Sequence, residues 1–175
     1  APFKMLCGGM VWYPKGNSEK DHWETYAAER EALFEFIHKE KIPGVILVSG
    51  DIHVCRHHDY GADSLGYPLH EYVISPMHDR VIPSLDVEHS ARIWSEAAKN
   101  VFLKVEATPD KLIATWIDMN GEKRNVSELS AVDLGGGGAG HPAAARRCFG
   151  VPVCPLGAPG RDAGPRRRRP ACGRH

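Results

Sequence analysis

Apolar residues crowd together at Val45-Ile46-Leu47-Val48, with no polar position between them, and the run stops at Ser49-Gly50. A strand that is apolar on both faces belongs inside a sheet covered on both sides, so residues 45–49 are predicted as a central strand. Phe3 to Val11 reads as an earlier buried strand that runs into the Gly8-Gly9 break, and Trp12 to Lys20 reads as a loop. The period then changes. Trp23, Tyr26, Ala27, Leu33, Phe34 and Ile37 recur at helical spacing, as one apolar stripe of a helix does. That helix is predicted to start at Asp21, with Asp21 as N-cap and Glu24 completing a capping box. Lys39 and Lys41 suit the negative end of its dipole, and Pro43-Gly44 closes it. Strand, helix, strand within about 45 residues predicts an α/β layered fold.

Beyond Gly50 the pattern breaks up. Asp51 to Asp86 reads as loop-rich, apart from an alternating stretch, Tyr67 to Ser75, that stops at Pro76. Asp86 to Lys99 is predicted as an irregular helix carrying Ile93 and Trp94. Alternation returns at Val101–Glu106 and Leu112–Asp118, joined by Thr108-Pro109-Asp110, and a third segment follows the Asn120-Gly121 turn. Period-2 runs separated by such turns predict an antiparallel meander.

Composition divides the chain in two. Residues 1–134 carry 21 acidic and 14 basic side chains, a net of −7, whereas residues 135–175 carry Asp162 and eight Arg, a net of +7. The second piece opens with a glycine run and continues in Ala, Pro, Gly and Arg without periodicity. Such a segment buries too little apolar surface to offset its ordering entropy, so it is expected to be a disordered tail, and residues 1–134 the one folded domain. Its Arg166–Arg169 run reads as a solvated stretch rather than as a nucleic-acid site. No apolar run approaches the roughly 18 residues that would span a bilayer. Five cysteines, Cys7, Cys55, Cys148, Cys154 and Cys172, are odd in number and lack C-x-x-C spacing, which speaks against a disulfide scaffold and a structural zinc site.

The chemistry concentrates where the central strand ends. Residues two apart in an extended backbone project to the same side, so Asp51 and His53 are expected to point into one cavity. A carboxylate oxygen and an imidazole nitrogen converging at the C-terminal end of a buried strand suit a catalytic metal. Two ligands do not complete a site, however.

Two blocks together resemble the alkaline phosphatase D family, within the calcineurin-like metallophosphoesterases. One is Trp23, Tyr26 and Glu29-Arg30, a W-x-x-Y-x-x-E-R pattern at the helix start; the other is Ser49-Gly50-Asp51-Ile52-His53, an S-G-D-x-H strand end. Tyr67-Pro68-Leu69-His70-Glu71 leading to Ser75-Pro76 is similar to the family's next strand. The resemblance covers roughly residues 3–134 and skips the tail. It implies the C-terminal part of a four-layer αββα sandwich, and hydrolysis of phosphate monoesters or diesters by a metal-activated water. Asp51 and His53 are the positions it marks as metal ligands, with divalent or trivalent ions, iron and calcium among them, as the implied cofactors. The family's other ligand-bearing motifs have no counterpart here, so the chain reads as an incomplete enzyme with little activity alone. Family members are often exported, which leans the parent protein towards the periplasm or secretion.

Around this pair, His57, His58, His78 and Arg80 are candidates for substrate contact or for positioning the ligands, with surface roles as their plainer reading. His57 and His58 are adjacent, so an extended chain would turn only one of them to the cavity. Arg80 could hold a phosphate bidentately. Cys55 reads as a small buried residue, His22 as exposed, Trp23 and Tyr26 as core, and Glu29–Arg30 as a structural ion pair. Two competing readings are a non-catalytic α/β binding module whose basic tail engages an acidic partner, and a folded remnant without activity.

Overall fold

A computed structural model of the protein describes residues 1–13, 15 and 17–136. The expectations for the basic tail from residue 137 onward lie outside them. Strand β1 (Lys4–Cys7) and strand β2 (Val45–Ser49) are joined by helix α1 (Ala27–Lys39) and run parallel, Lys4 opposite Val45 and Cys7 opposite Val48. Parallel neighbours require a crossover of this kind, and the helical stripe at Phe34 and Ile37 supplies its buried side. Strands β3 (Cys55–Asp59), β4 (His70–Val73) and β5 (Arg92–Glu96) complete a five-stranded sheet in the order β1-β2-β4-β3-β5. β4 runs parallel to β2, while β3 is antiparallel to both its neighbours. β2 is interior to this sheet with Val45, Ile46 and Leu47 buried, as its unbroken apolar run predicts. The predicted meander is the second sheet, β6 (Phe102–Ala107), β7 (Lys111–Ile117) and β8 (Lys123–Ser130), antiparallel throughout.

The two faces of the larger sheet are covered differently. On one, Trp116 of β7 lies edge-on to Tyr72 with ring centres 5.1 Å apart and stacks on His57 at 5.8 Å. Its indole N–H donates to the Val73 carbonyl at 3.2 Å. Neighbours along a strand face opposite ways, so Glu71 looks to the other side, where the Trp12 backbone N–H meets it. There Trp12 stacks on Trp23 at 4.6 Å and on Phe34 of α1 at 5.7 Å. Helix, sheet and sheet thus form successive layers of a mixed α/β fold.

Several predicted boundaries move. The first strand ends at Cys7 instead of Val11, and the stretch from Tyr67 contributes only His70–Val73. α1 begins at Ala27, not Asp21, and Tyr26 at its N-cap makes no side-chain cap. The residues of the supposed capping box are engaged elsewhere: Asp21 accepts from Lys15 Nζ, and Glu24 from Arg30. Residues 92–96 form β5 rather than a helix, because β3 offers them an unpaired edge. Trp94 packs inward against Trp116 while the adjacent Ile93 is exposed. Gly44 closes the crossover at φ +72°, where a Cβ would sit 1.7 Å from the Pro2 carbonyl oxygen; only glycine fits. Leu134, fully buried in a final turn (Val132–Gly136), accepts a hydrogen bond from the Gly44 N–H.

Candidate functional site

The turn after β2 is not the extended backbone expected from the sequence. Asp51 and His53 have φ of 71° and 56°, in the left-handed region. Asp and His tolerate that region better than most residues, yet it costs on the order of 1 kcal/mol each and needs support from the surroundings. The support is visible. Ile52 and Val54, between and beside them, are fully buried in a small cluster with Val11, Val73 and Leu85. The His53 backbone N–H donates to Ser75 Oγ at 2.9 Å, and the Ile52 N–H to the Gly50 carbonyl at 2.9 Å. The two side chains do share one cleft, as anticipated, but a strained turn brings them there and strand alternation does not.

The cleft, about 400 Å³, is lined by Asp51, His53, Lys15 and Arg80 among others. His53 Nδ1 lies 2.8 Å from the Arg80 carbonyl oxygen. A carbonyl can only accept, so Nδ1 carries the hydrogen and Nε2 of the neutral ring keeps its lone pair. His78 sits edge-on to the His53 ring at 4.8 Å, and its Nδ1 accepts from the Arg80 N–H at 3.0 Å. His53, His78 and Arg80 are thus held as one unit.

Asp51 is already engaged. Its Oδ2 is 2.5 Å from Lys15 Nζ, which also lies 2.8 Å from Asp21 Oδ1 and 2.9 Å from Glu19 Oε2. Burial opposes the charge on Lys15, whose side chain is 3% exposed, but hydrogen bonds to the three carboxylates outweigh it and hold the ammonium well above its ordinary pKa. Among the described residues, no three His, Cys, Asp or Glu side chains are arranged to hold a metal ion. The donor set fits one in part: an anionic oxygen and a lone-pair nitrogen in one cleft, with nothing to close the coordination shell.

The other candidates lie elsewhere. His57 and His58 are on β3, in a stretch read from the sequence as loop, and both are buried. His57 faces the second sheet beside Tyr72 and Trp116, its Nε2 3.2 Å from His70 Nδ1. Burial first, then the charges of His70 and His58, push its pKa down to about 3. His58 turns to the opposite face, 3.5 Å from Glu71 Oε2. Neither lines the cleft, because both side chains are committed to the sheet's own faces. Cys55 is buried as expected, donating to the Ser75 carbonyl at 3.2 Å, and burial raises its thiol to about 11. His22 is buried rather than exposed and bonds the Glu19 carbonyl at 3.0 Å. Tyr26 is exposed rather than core. Arg30 pairs with Glu24 and Glu31, not Glu29.

Two groups had no signal in the sequence. Lys15 stands in a loop without periodicity, and Glu71 inside an alternating strand gives no hint of its partners. Glu71 accepts from the Trp12 N–H at 3.0 Å, from Ser49 Oγ at 2.5 Å and from the Tyr60 hydroxyl.

A family model described as PhoD-like phosphatase matches residues 5–111. No curated protein matches the chain. Among solved structures it is similar to one titled "Structure of PhoD", at 15% identity and a TM-score of 0.52, over 74% of this chain and 28% of that one. At that identity the likeness is one of fold. The chain spans 28% of the length of that structure.

Proposed function

This chain belongs to the PhoD-like phosphatase family, and from that premise we propose that it carries part of the active site of a metal-dependent phosphoric ester hydrolase. Asp51 and His53 are the ligands it contributes, within a four-layer αββα sandwich of which the helix and two sheets seen here form three layers. The observation that carries this reading is the His53 hydrogen bond. With Nδ1 fixed on the Arg80 carbonyl at 2.8 Å, the ring is held in the tautomer and orientation that metal-binding histidines adopt.

A bound metal would supply Lewis acidity at the phosphoryl oxygens and a water of lowered pKa. The chain's own residues bind and orient. The Asp51 carboxylate offers a hard oxygen suited to calcium, and the His53 imidazole a donor better suited to iron. Arg80, exposed at the cleft, presents a planar guanidinium that can take two oxygens of a phosphate ester. His78 keeps Arg80 and His53 in register. His57 and His58 have no part in this scheme. Further ligands would come from a longer protein, and monoester against diester preference would be set there.

Asp51→Ala and His53→Ala are each expected to lower metal affinity of the full chain by more than about tenfold, read by elemental analysis after dialysis and by calorimetry with Ca²⁺ and Fe³⁺. Unchanged metal content in both variants would overturn the proposal.

A further inference from the structure

Lys15 is buried like a core residue, yet its ammonium makes only charged contacts: Asp51, Asp21 and Glu19 at 2.5, 2.8 and 2.9 Å. An ammonium has three N–H donors, and each here has its own carboxylate. The carboxylates themselves are far from buried, 41% to 59% exposed. Three acceptors satisfy its donors, but one carboxylate would balance its charge, and the other two are in excess of that. Here three negative groups converge on one positive one, and the shortest contact is to the acid of the S-G-D-x-H motif. The surplus negative charge is offset at the cleft only by Arg80, among the described residues that line it. That arrangement favours a cation of higher charge than an ammonium.

We propose that Lys15 is an internal counter-cation, which occupies the Asp51 carboxylate in the metal-free chain and must leave before a metal binds there. This rests on the reading of Asp51 as a metal ligand. In the metal-free chain the ammonium cancels part of the repulsion among Asp51, Asp21 and Glu19 and keeps the cleft formed. Metal binding is then an exchange of cations at one carboxylate. The apparent affinity is the intrinsic one multiplied by the fraction of molecules in which Lys15 has swung away. The intact chain therefore discriminates against weakly bound monovalent ions, which cannot displace a hydrogen-bonded ammonium.

The test is calorimetric titration of Ca²⁺ into the full chain and into Lys15→Met and Lys15→Gln, with Lys20→Met as control. The glutamine variant keeps a hydrogen-bond donor for the same oxygens, in case methionine disturbs the fold. Both Lys15 variants are expected to bind Ca²⁺ about tenfold or more tightly than the unmodified chain, and the control to match it. Adding Asp51→Asn to either should abolish the gain. Saturating Ca²⁺ should also raise the melting temperature of the Lys15 variants more than that of the unmodified chain. If neither variant binds Ca²⁺ more tightly while Asp51→Ala still weakens binding in the unmodified chain, Lys15 is a structural ion pair and only this inference falls. If Asp51→Ala is without effect in every background, the metal reading itself falls with it.

Discussion

Glu71, 1% exposed, is a carboxylate with no water to solvate it, and four groups stand in for the solvent. Burial works to raise its pKa, but hydrogen bonds from His58, Ser49, Tyr60 and the Trp12 N–H outweigh burial and hold it below the ordinary carboxylate range. The acid thereby ties together β2, β3, β4 and the loop leading to α1, and its charge is what each of those donors is aimed at. Glu71→Gln keeps the shape but turns an acceptor into an NH₂ donor facing donors. The expected cost is about 2–3 kcal/mol, read as a lower urea midpoint at unchanged slope.

Trp116 does for the two sheets what Glu71 does for the strands. It is fully buried, touches Tyr72, His57 and Trp94, and donates to the Val73 carbonyl. Trp116→Ala should cost about 3–5 kcal/mol and blue-shift no other tryptophan, measured by chemical denaturation and fluorescence. At this scale β3 and β5 explain why periodicity was a poor guide. β3 reads Cys-Arg-His-His-Asp, yet four of its five residues are buried. Cys55, His57 and His58 Nδ1 find partners across the sheet in Ser75, His70 and Glu71, whereas Arg56, 3.5 Å from Asp86, is held mainly by its charge, with Nε and Nη2 making no hydrogen bond. Burial achieved through long-range partners leaves no apolar alternation for a sequence to show.

Across the whole molecule, buried histidines make stability depend on pH. His57 has its pKa pushed down to about 3 by burial, and burial also lowers His70 and His89. A depressed histidine favours the fold while neutral. The unfolded chain takes up its proton first, near pH 6.5, so stability is full above that value and declines as pH falls towards 3. At about 1.4 kcal/mol per pH unit, His57 alone accounts for at most about 3 kcal/mol between pH 6.5 and 4. Glu71 acts in the same sense, its contribution present above the ordinary carboxylate pKa and lost below its own lowered one. Urea midpoints should therefore fall steadily from pH 7 to pH 4, and His57→Phe should flatten that decline. An equally steep decline in the variant would place the acid sensitivity elsewhere.

What the chain's order of residues determined by itself was local: an unbroken apolar run that had to be an interior strand, a helical stripe that had to cover it, turn chemistry that made a meander, and an Asp-x-His pair at a strand end. Each depends on residues within a few positions of one another. Tertiary structure alone decided that Asp21 would serve Lys15 instead of capping a helix, and that a polar pentapeptide would sit inside a sheet. It also decided that Asp51 and His53 would meet through a left-handed turn anchored by Ile52 and Val54. In none of these cases does periodicity announce the partner: Lys15 sits six residues before Asp21 in an irregular loop, and His70, Glu71, Val73 and Leu85 lie further along the chain from the residues they hold. A side chain takes the strongest partner the fold brings within reach, whatever its neighbours in sequence would have offered.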